Sequence, residues 1–258
     1  MARKNKGPRI FDLSLPIENY AYEPFPPEIM YTDHAEGTRR LGKPYGLAPR
    51  DFPQGMALAS ERLTLTPHTG THVDASWHFG PTCAGKRSRT IDEMPLEWFY
   101  GDGVVLDLHH LKPAAPITLE DVKEAEAKVK AGIGPGTIVL IRTDAYKKWD
   151  TPDYPNAHPG MSGEATAYLI KKGVKFMGID AYGFDRPFKA MAEDYKAGEK
   201  GALWPSHFLG RKLFYSHMEK LAYLDRLPRP YGFKVAAFPI KITRASGGWV
   251  RCVAIFEA

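Results

Sequence analysis

Cysteine is nearly missing from this 258-residue chain. Cys83 and Cys252 lie far apart and form no metal-ligand spacing. Free thiols in a cytosolic enzyme are the simpler expectation, with one disulfide as the alternative. Long apolar runs are missing too. No stretch approaches the roughly 20 apolar residues that span a bilayer, so no membrane partner is expected. Behind the basic Arg3-Lys4-Asn5-Lys6 cluster, Pro8, Asp12 and Pro16 break any apolar run, so no signal peptide is expected either. The net charge is +5, but the basic residues are otherwise scattered and no basic helix or aromatic platform accompanies them. A nucleic-acid partner is therefore not expected, and the cluster reads as a solvated tail. There is no internal repeat and no linker.

What is present is an ordinary globular composition, 43% hydrophobic and 25% charged. The length suits a single domain over residues 1–258. Residues 8–17 and 58–67 read as strands. So do the runs 103–108, 136–141 and 174–179, with helices between them. Thr118 with Asp121 resembles a capping box for a helix stopped at Gly132, and Ser162 caps a second helix that ends at Gly173. This strand and helix alternation predicts an α/β fold. Residues 19–55 and 183–206 read as irregular. Residues 207–222 could hold a short helix, and two terminal strands, 232–242 and 249–256, are joined by a turn at Ser246 to Gly248. The aromatics Tyr20, Tyr22, Phe25, Tyr31, Tyr45 and Phe52 in the first irregular segment supply apolar surface without periodicity. Such a segment usually packs over a site or against another subunit.

The densest chemistry lies in HTGTHVDASWHF, residues 68–79. His68, His72, Asp74 and His78 fall within eleven residues, a composition that suits Zn²⁺, Mn²⁺ or Fe²⁺ rather than the all-oxygen shells of Ca²⁺ or Mg²⁺. On a helix Asp74 would point away from His68 and His72, whereas in a strand His72 and Asp74 share a face. Gly70 lets the backbone fold so that His68 joins them. Three protein ligands leave a further position for water or substrate. His78, just past the ligands, is the candidate to take a proton from water, or else a fourth ligand. Downstream, His109 and His110 read as surface residues, and His158 either approaches the site or faces solvent. His207 and Glu219 sit among apolar residues, where burial would demand a partner. His217 either orients Glu219 or faces solvent. Trp77 and Phe25 could wall a planar substrate, although Trp77 could equally be core.

The same stretch resembles the HxGTHxDxPxH signature of the cyclase-like metal-dependent hydrolases, the family of bacterial kynurenine formamidase and isatin hydrolase. His207, Glu219, the following LAYLDRLP and the closing GFKVAAFPIKITRASGGWVRCVAI carry the likeness through the second half. The resemblance implies a compact α/β domain of the swivelling β/β/α type, with a mixed sheet and flanking helices, assembled as a homodimer or homotetramer. It implies His68, His72 and Asp74 at one metal position and Asp74, His207 and Glu219 at a second, with one or two Mn²⁺ or Zn²⁺ per chain and His78 as acid/base. Ser76 stands where the family usually has proline, and YEPFPPEIMY replaces a WPGD-type segment. Insertions around residues 30–57 and 185–205 bring the chain nearer the larger, isatin-hydrolase-like members.

The activity this implies is hydrolysis of a C–N amide bond in a small cyclic amide or imide, or in an aryl formamide. A divalent metal lowers the pKa of water so that hydroxide can attack the carbonyl. Two alternatives remain at this point. One is a non-haem iron oxygenase using His72, Asp74 and His207, and the other is a catalytically silent metal-binding relative.

Overall fold

The run Thr137–Arg142, TIVLIR, is rich in β-branched residues and buried on both faces, as a central parallel strand must be. The computed structural model describes residues 7–19 and 21–257, so the tail at residues 3–6 and Tyr20 lie outside the described residues. Tyr100–Asp107, Thr137–Arg142, Phe176–Ile179 and Ser216–Glu219 pair in parallel. The helices Leu119–Val129 and Gly163–Lys171 make the first two crossovers. Their starts follow from local sequence. The Asp121 N–H donates to Thr118 Oγ1 at 3.2 Å while the Thr118 N–H donates to Asp121 Oδ2 at 2.8 Å, and Ser162 Oγ accepts from the Ala165 N–H at 3.2 Å. The first helix ends three residues before Gly132, because Lys130 takes the left-handed conformation at φ 55.

Antiparallel strands extend the sheet on both sides. The full order is Arg9–Asp12, Val253–Phe256, Tyr231–Ala236, Tyr100–Asp107, Thr137–Arg142, Phe176–Ile179, Ser216–Glu219, His72–Asp74, Gly247–Trp249. This is the mixed α/β sheet with flanking helices that the sequence predicts. Three local expectations change. Residues 207–222 hold a short helix, Pro205–Leu209, and then the strand Ser216–Glu219, so Glu219 is a strand residue. The expected turn at Gly247 and Gly248 is itself strand, paired to His72–Asp74. Residues 183–206 contain the helix Phe188–Lys196. The strand expected before the histidine motif is present as Ser60–Thr64 and pairs with Glu28–Thr32.

Strand alternation divides the core in two. Val104, Leu106, Val139, Ile141, Met177 and Ile179 face the helices, packing on Val122, Ala125, Ala165 and Leu169. Val105, Ile138, Leu140 and Phe176 enter the opposite layer, with Phe233, Val235, Ala254 and Phe256. Val73 and Met218 also belong to that opposite layer. Their strand neighbours His72, Asp74, His217 and Glu219 consequently project to the other face. Apolar residues thus fix the direction in which the polar ones point.

The chain divides into two compact units, Met1–Pro16 with Pro67–Ala258, and Ile17–Thr66. The sheet belongs to the first. The second holds an antiparallel hairpin, Glu28–Thr32 with Ser60–Thr64, and the helix His34–Gly42, where an irregular segment was expected. Asp33 caps that helix by accepting from the Glu36 N–H at 2.8 Å. Gly37 is required there, since a Cβ would stand 2.0 Å from the Leu58 carbonyl oxygen.

Candidate metal centre

The cross-strand register assembles the centre. His72–Asp74 runs antiparallel to Ser216–Glu219 with His217 opposite Asp74 and Glu219 opposite His72. Those four side chains form a square on one sheet face, each at most 8% exposed. Gly70, at φ +60, turns the chain ahead of the strand so that His68 reaches the same square, as the sequence predicts. His68 Nδ1 lies 2.8 Å from Asp74 Oδ1, and its Nε2 lies 2.8 Å from Ser246 Oγ. The short helix Ser76–Phe79 then presents His78, whose Nε2 is 3.8 Å from Asp74 Oδ2. From the far side, the helix Pro205–Leu209 delivers His207 with its Nε2 3.5 Å from Asp74 Oδ2.

Hydrogen bonds to the other ring nitrogens fix the tautomers. His72 Nδ1–H donates to the Gly70 carbonyl at 2.8 Å, leaving Nε2 bare at 3.3 Å from Asp74 Oδ1 and 3.6 Å from Glu219 Oε2. That Nε2 is buried and has no hydrogen-bond partner. His207 Nδ1–H donates to Asp185 Oδ2 at 2.6 Å, which turns its Nε2 to Asp74 Oδ2 and, at 3.6 Å, Glu219 Oε1. Were these nitrogens all unprotonated, their lone pairs and the two carboxylates would be mutually repelling acceptors in a dry place. Only protons or a cation reconcile them. Asp74, His207, His217 and Glu219 offer ligand atoms within 4.8 Å of one another, and so do His68, Asp74 and His78. This donor set fits a divalent transition metal.

Without such an ion, the charges rest on protons. Burial would raise the Asp74 carboxyl, but His78 and His68, with hydrogen bonds from His207 and His217, hold it well below the usual range. Glu219 is lowered in the same way, burial being outweighed chiefly by His217. Burial also works to lower His207, yet its hydrogen bond to Asp185 carries it well above an ordinary imidazole. Burial pushes His78 down to about 4. Its imidazole is accordingly neutral at pH 7 and able to accept a proton.

The five expected ligands, His68, His72, Asp74, His207 and Glu219, are therefore brought together, with His78 beside them. Trp77 is 41% exposed and is not core. Phe25, 71% exposed, belongs to the unit Ile17–Thr66. His109 and His110 are exposed, and His109 pairs with Asp107 Oδ1 at 2.6 Å. His158 is buried, its Nδ1–H donating to the Pro159 carbonyl at 2.9 Å. Both cysteines are free and buried.

Sequence reasoning left His217 undecided, and it is fully buried at the centre. Asp185 escaped notice altogether. It accepts from the Ser206 and His207 backbone N–H groups as well as from the His207 ring. Its one sequence cue is an acidic residue set between Phe184 and Arg186 in GFDRPF.

The chain is similar to known proteins along most of its length. A family model described as "Putative cyclase" matches residues 11–186. A kynurenine formamidase of Bacillus cereus is 23% identical over 249 residues, covering 94% of this chain and 95% of that protein. A Bacillus cytotoxicus kynurenine formamidase is also 23% identical, over 96% of this chain and 98% of its own. Among solved structures, isatin hydrolase A from Ralstonia solanacearum superposes with a TM-score of 0.76 at 22% identity, over 97% of this chain and 92% of that one. An isatin hydrolase bound to the product analogue thioisatinate gives 0.74, also at 22%, over 98% and 94%. Among the described residues no helix is long and apolar enough to cross a membrane.

Proposed function

Because the chain belongs to the cyclase family, we propose that it is a metal-dependent hydrolase of a C–N amide bond, acting on a small cyclic amide or imide or on an aryl formamide. One observation carries this reading. Imidazole nitrogens converge on Asp74 and Glu219 in a buried square, with His72 Nε2 left without a protein partner. A divalent ion bound there supplies Lewis acidity, which makes water a nucleophile near neutral pH and polarises a carbonyl.

His68, His72 and Asp74 would hold it at one position and Asp74, His207 and Glu219 at the other, with Mn²⁺ and Zn²⁺ both suited to this shell. His78 is the acid/base. Its neutral ring accepts a proton at Nε2 and can return it to the departing nitrogen. His68 lies against it with ring centroids 4.2 Å apart, and a third of the His78 side chain remains exposed, so a substrate can reach it. Trp77, beside His78, offers apolar surface to a planar ring. The names of the relatives, formamidase and isatin hydrolase, support the two substrate classes.

The test is proton release with cyclic amides, imides, lactones and N-formyl arylamines, before and after chelation and with Zn²⁺ or Mn²⁺ restored. Metal-dependent acidification with an amide class is expected. Silence across the panel in metal-loaded protein would overturn the reading.

A further inference from the structure

His217 is the one buried imidazole of the square to which the five-ligand reading gives no part. It lies opposite Asp74 in the strand pairing and is 0% exposed. Its ring is clamped in place, stacked on Phe184 at 4.2 Å with 6° between planes. The Tyr215 hydroxyl donates its proton to the Ser206 carbonyl at 2.7 Å, so the phenol oxygen can only accept. His217 Nδ1, 3.3 Å from that oxygen, can bond to it only as an N–H donor. Nε2 lies 3.1 Å from Asp74 Oδ2, to which it donates in the metal-free protein, and 3.6 Å from Glu219 Oε1, so it is the atom an ion would meet in place of that proton. Those are the same two oxygens that His207 Nε2 faces. The relay from Ser206 through Tyr215 to His217 thus has the form of the outer hydrogen bonds that set a metal-binding imidazole.

We propose that His217 is a metal ligand and that the two positions are unequal. The inner one has four protein donors, Asp74 Oδ2, His207 Nε2, His217 Nε2 and Glu219 Oε1, within 4.8 Å of one another, and would retain its ion. The outer one, with His68, His72 and Asp74 Oδ1, stays open and exchanges. The donors used only by the inner position are buried, with His217 0%, Glu219 10% and His207 11% exposed, while the outer position combines His72 at 1% with the more open His68 at 25%. The inference rests on the hydrolase reading only in taking the centre to bind metal.

The full chain is titrated with Co²⁺, followed by visible absorption and by metal analysis after brief dialysis against a chelator. The wild type is expected to bind two ions per chain and retain one, with the intense absorption of four-coordinate Co²⁺. In His217→Gln, whose amide can still hydrogen-bond Asp74, the retained ion is expected to bind at least about tenfold more weakly and the intense band to fade. His217→Cys should gain a sulfur-to-cobalt charge-transfer band, absent from the wild type although that carries Cys83 and Cys252. Undiminished retention in His217→Gln with no sulfur band in His217→Cys overturns the proposal while leaving the hydrolase reading intact. A wild type that holds two unequal ions but cleaves no amide sinks the hydrolase reading alone. A wild type that binds no Co²⁺ removes both.

Discussion

Replacing Asp74 with asparagine tests the centre without knowledge of the substrate. Asp74 is 1% exposed and faces five imidazoles. Its Oδ1 meets His68 at 2.8 Å and His72 at 3.3 Å, and its Oδ2 meets His217 at 3.1 Å, His207 at 3.5 Å and His78 at 3.8 Å. Removing one partner of a buried charge pair costs about 3–5 kcal/mol, and an isosteric amide that keeps one carbonyl oxygen belongs at the lower end. For a domain of this size, 1 kcal/mol moves Tm by about 2–4 °C. The metal-free variant is therefore expected to melt roughly 6–12 °C below the metal-free wild type.

Metal then separates the two further. At a free concentration 100 times Kd, binding to the folded state alone adds about 2.7 kcal/mol, or about 5–11 °C. A tenfold loss of affinity from the missing anionic oxygen leaves about 1.4 kcal/mol at the same concentration. Calorimetry with chelator and then with Zn²⁺ or Mn²⁺ reads both numbers. Equal gains in the two proteins would refute the role given to Asp74.

Three other substitutions probe separate parts of the molecule. His78→Gln should lower turnover by about 10²–10⁴-fold with metal content unchanged, and loss of metal alongside activity would make His78 a ligand instead. Gly247→Ala places a methyl 2.8 Å from the Val73 carbonyl oxygen and 2.9 Å from His68 Cε1, so His68 must shift, and metal analysis should show weaker binding at the outer position alone. Burial works to raise the Asp144 carboxyl, but Arg142, with Nε at 2.8 Å, and Lys147 outweigh it and hold it at about 2. A lowered carboxyl contributes stability above its unfolded pKa near 4, and that contribution disappears as pH falls towards 2. Arg142→Ala should therefore cost roughly 1 kcal/mol at pH 7, after allowance for solvent screening, and less at pH 3 in urea melts.

The features legible in the sequence are those set within a few residues. The caps at Thr118 and Ser162, the common face of His72 and Asp74, and the bend at Gly70 all depend on local geometry. Those that were not legible depend on partners far along the chain. SHME has little β propensity, and Ser216–Glu219 is a strand because it lies between Phe176–Ile179 and His72–Asp74. His217 acquires its role through that pairing, from a residue more than a hundred positions away. Asp185 is hidden for the same reason. The helix His34–Gly42 was obscured by Gly37 and Gly42, which weaken its signal and are explained only by the close approach of Leu58 and Leu47.

The alternation that sends Val73 and Met218 one way and the histidines and carboxylates the other bears on how such a centre can change over generations. Exchanging one donor for another leaves the remaining side chains facing as before, so the centre can be retuned by single substitutions. An insertion or deletion of one residue inside His72–Asp74 or Ser216–Glu219 reverses every later side chain of that strand, sending valine or methionine into the polar cluster and carboxylates into the apolar layer. Length within these two short strands is thus under far stricter constraint than identity at any one of their positions. Lineages descended from this fold should vary their chemistry by spelling, and their reach by lengthening loops elsewhere.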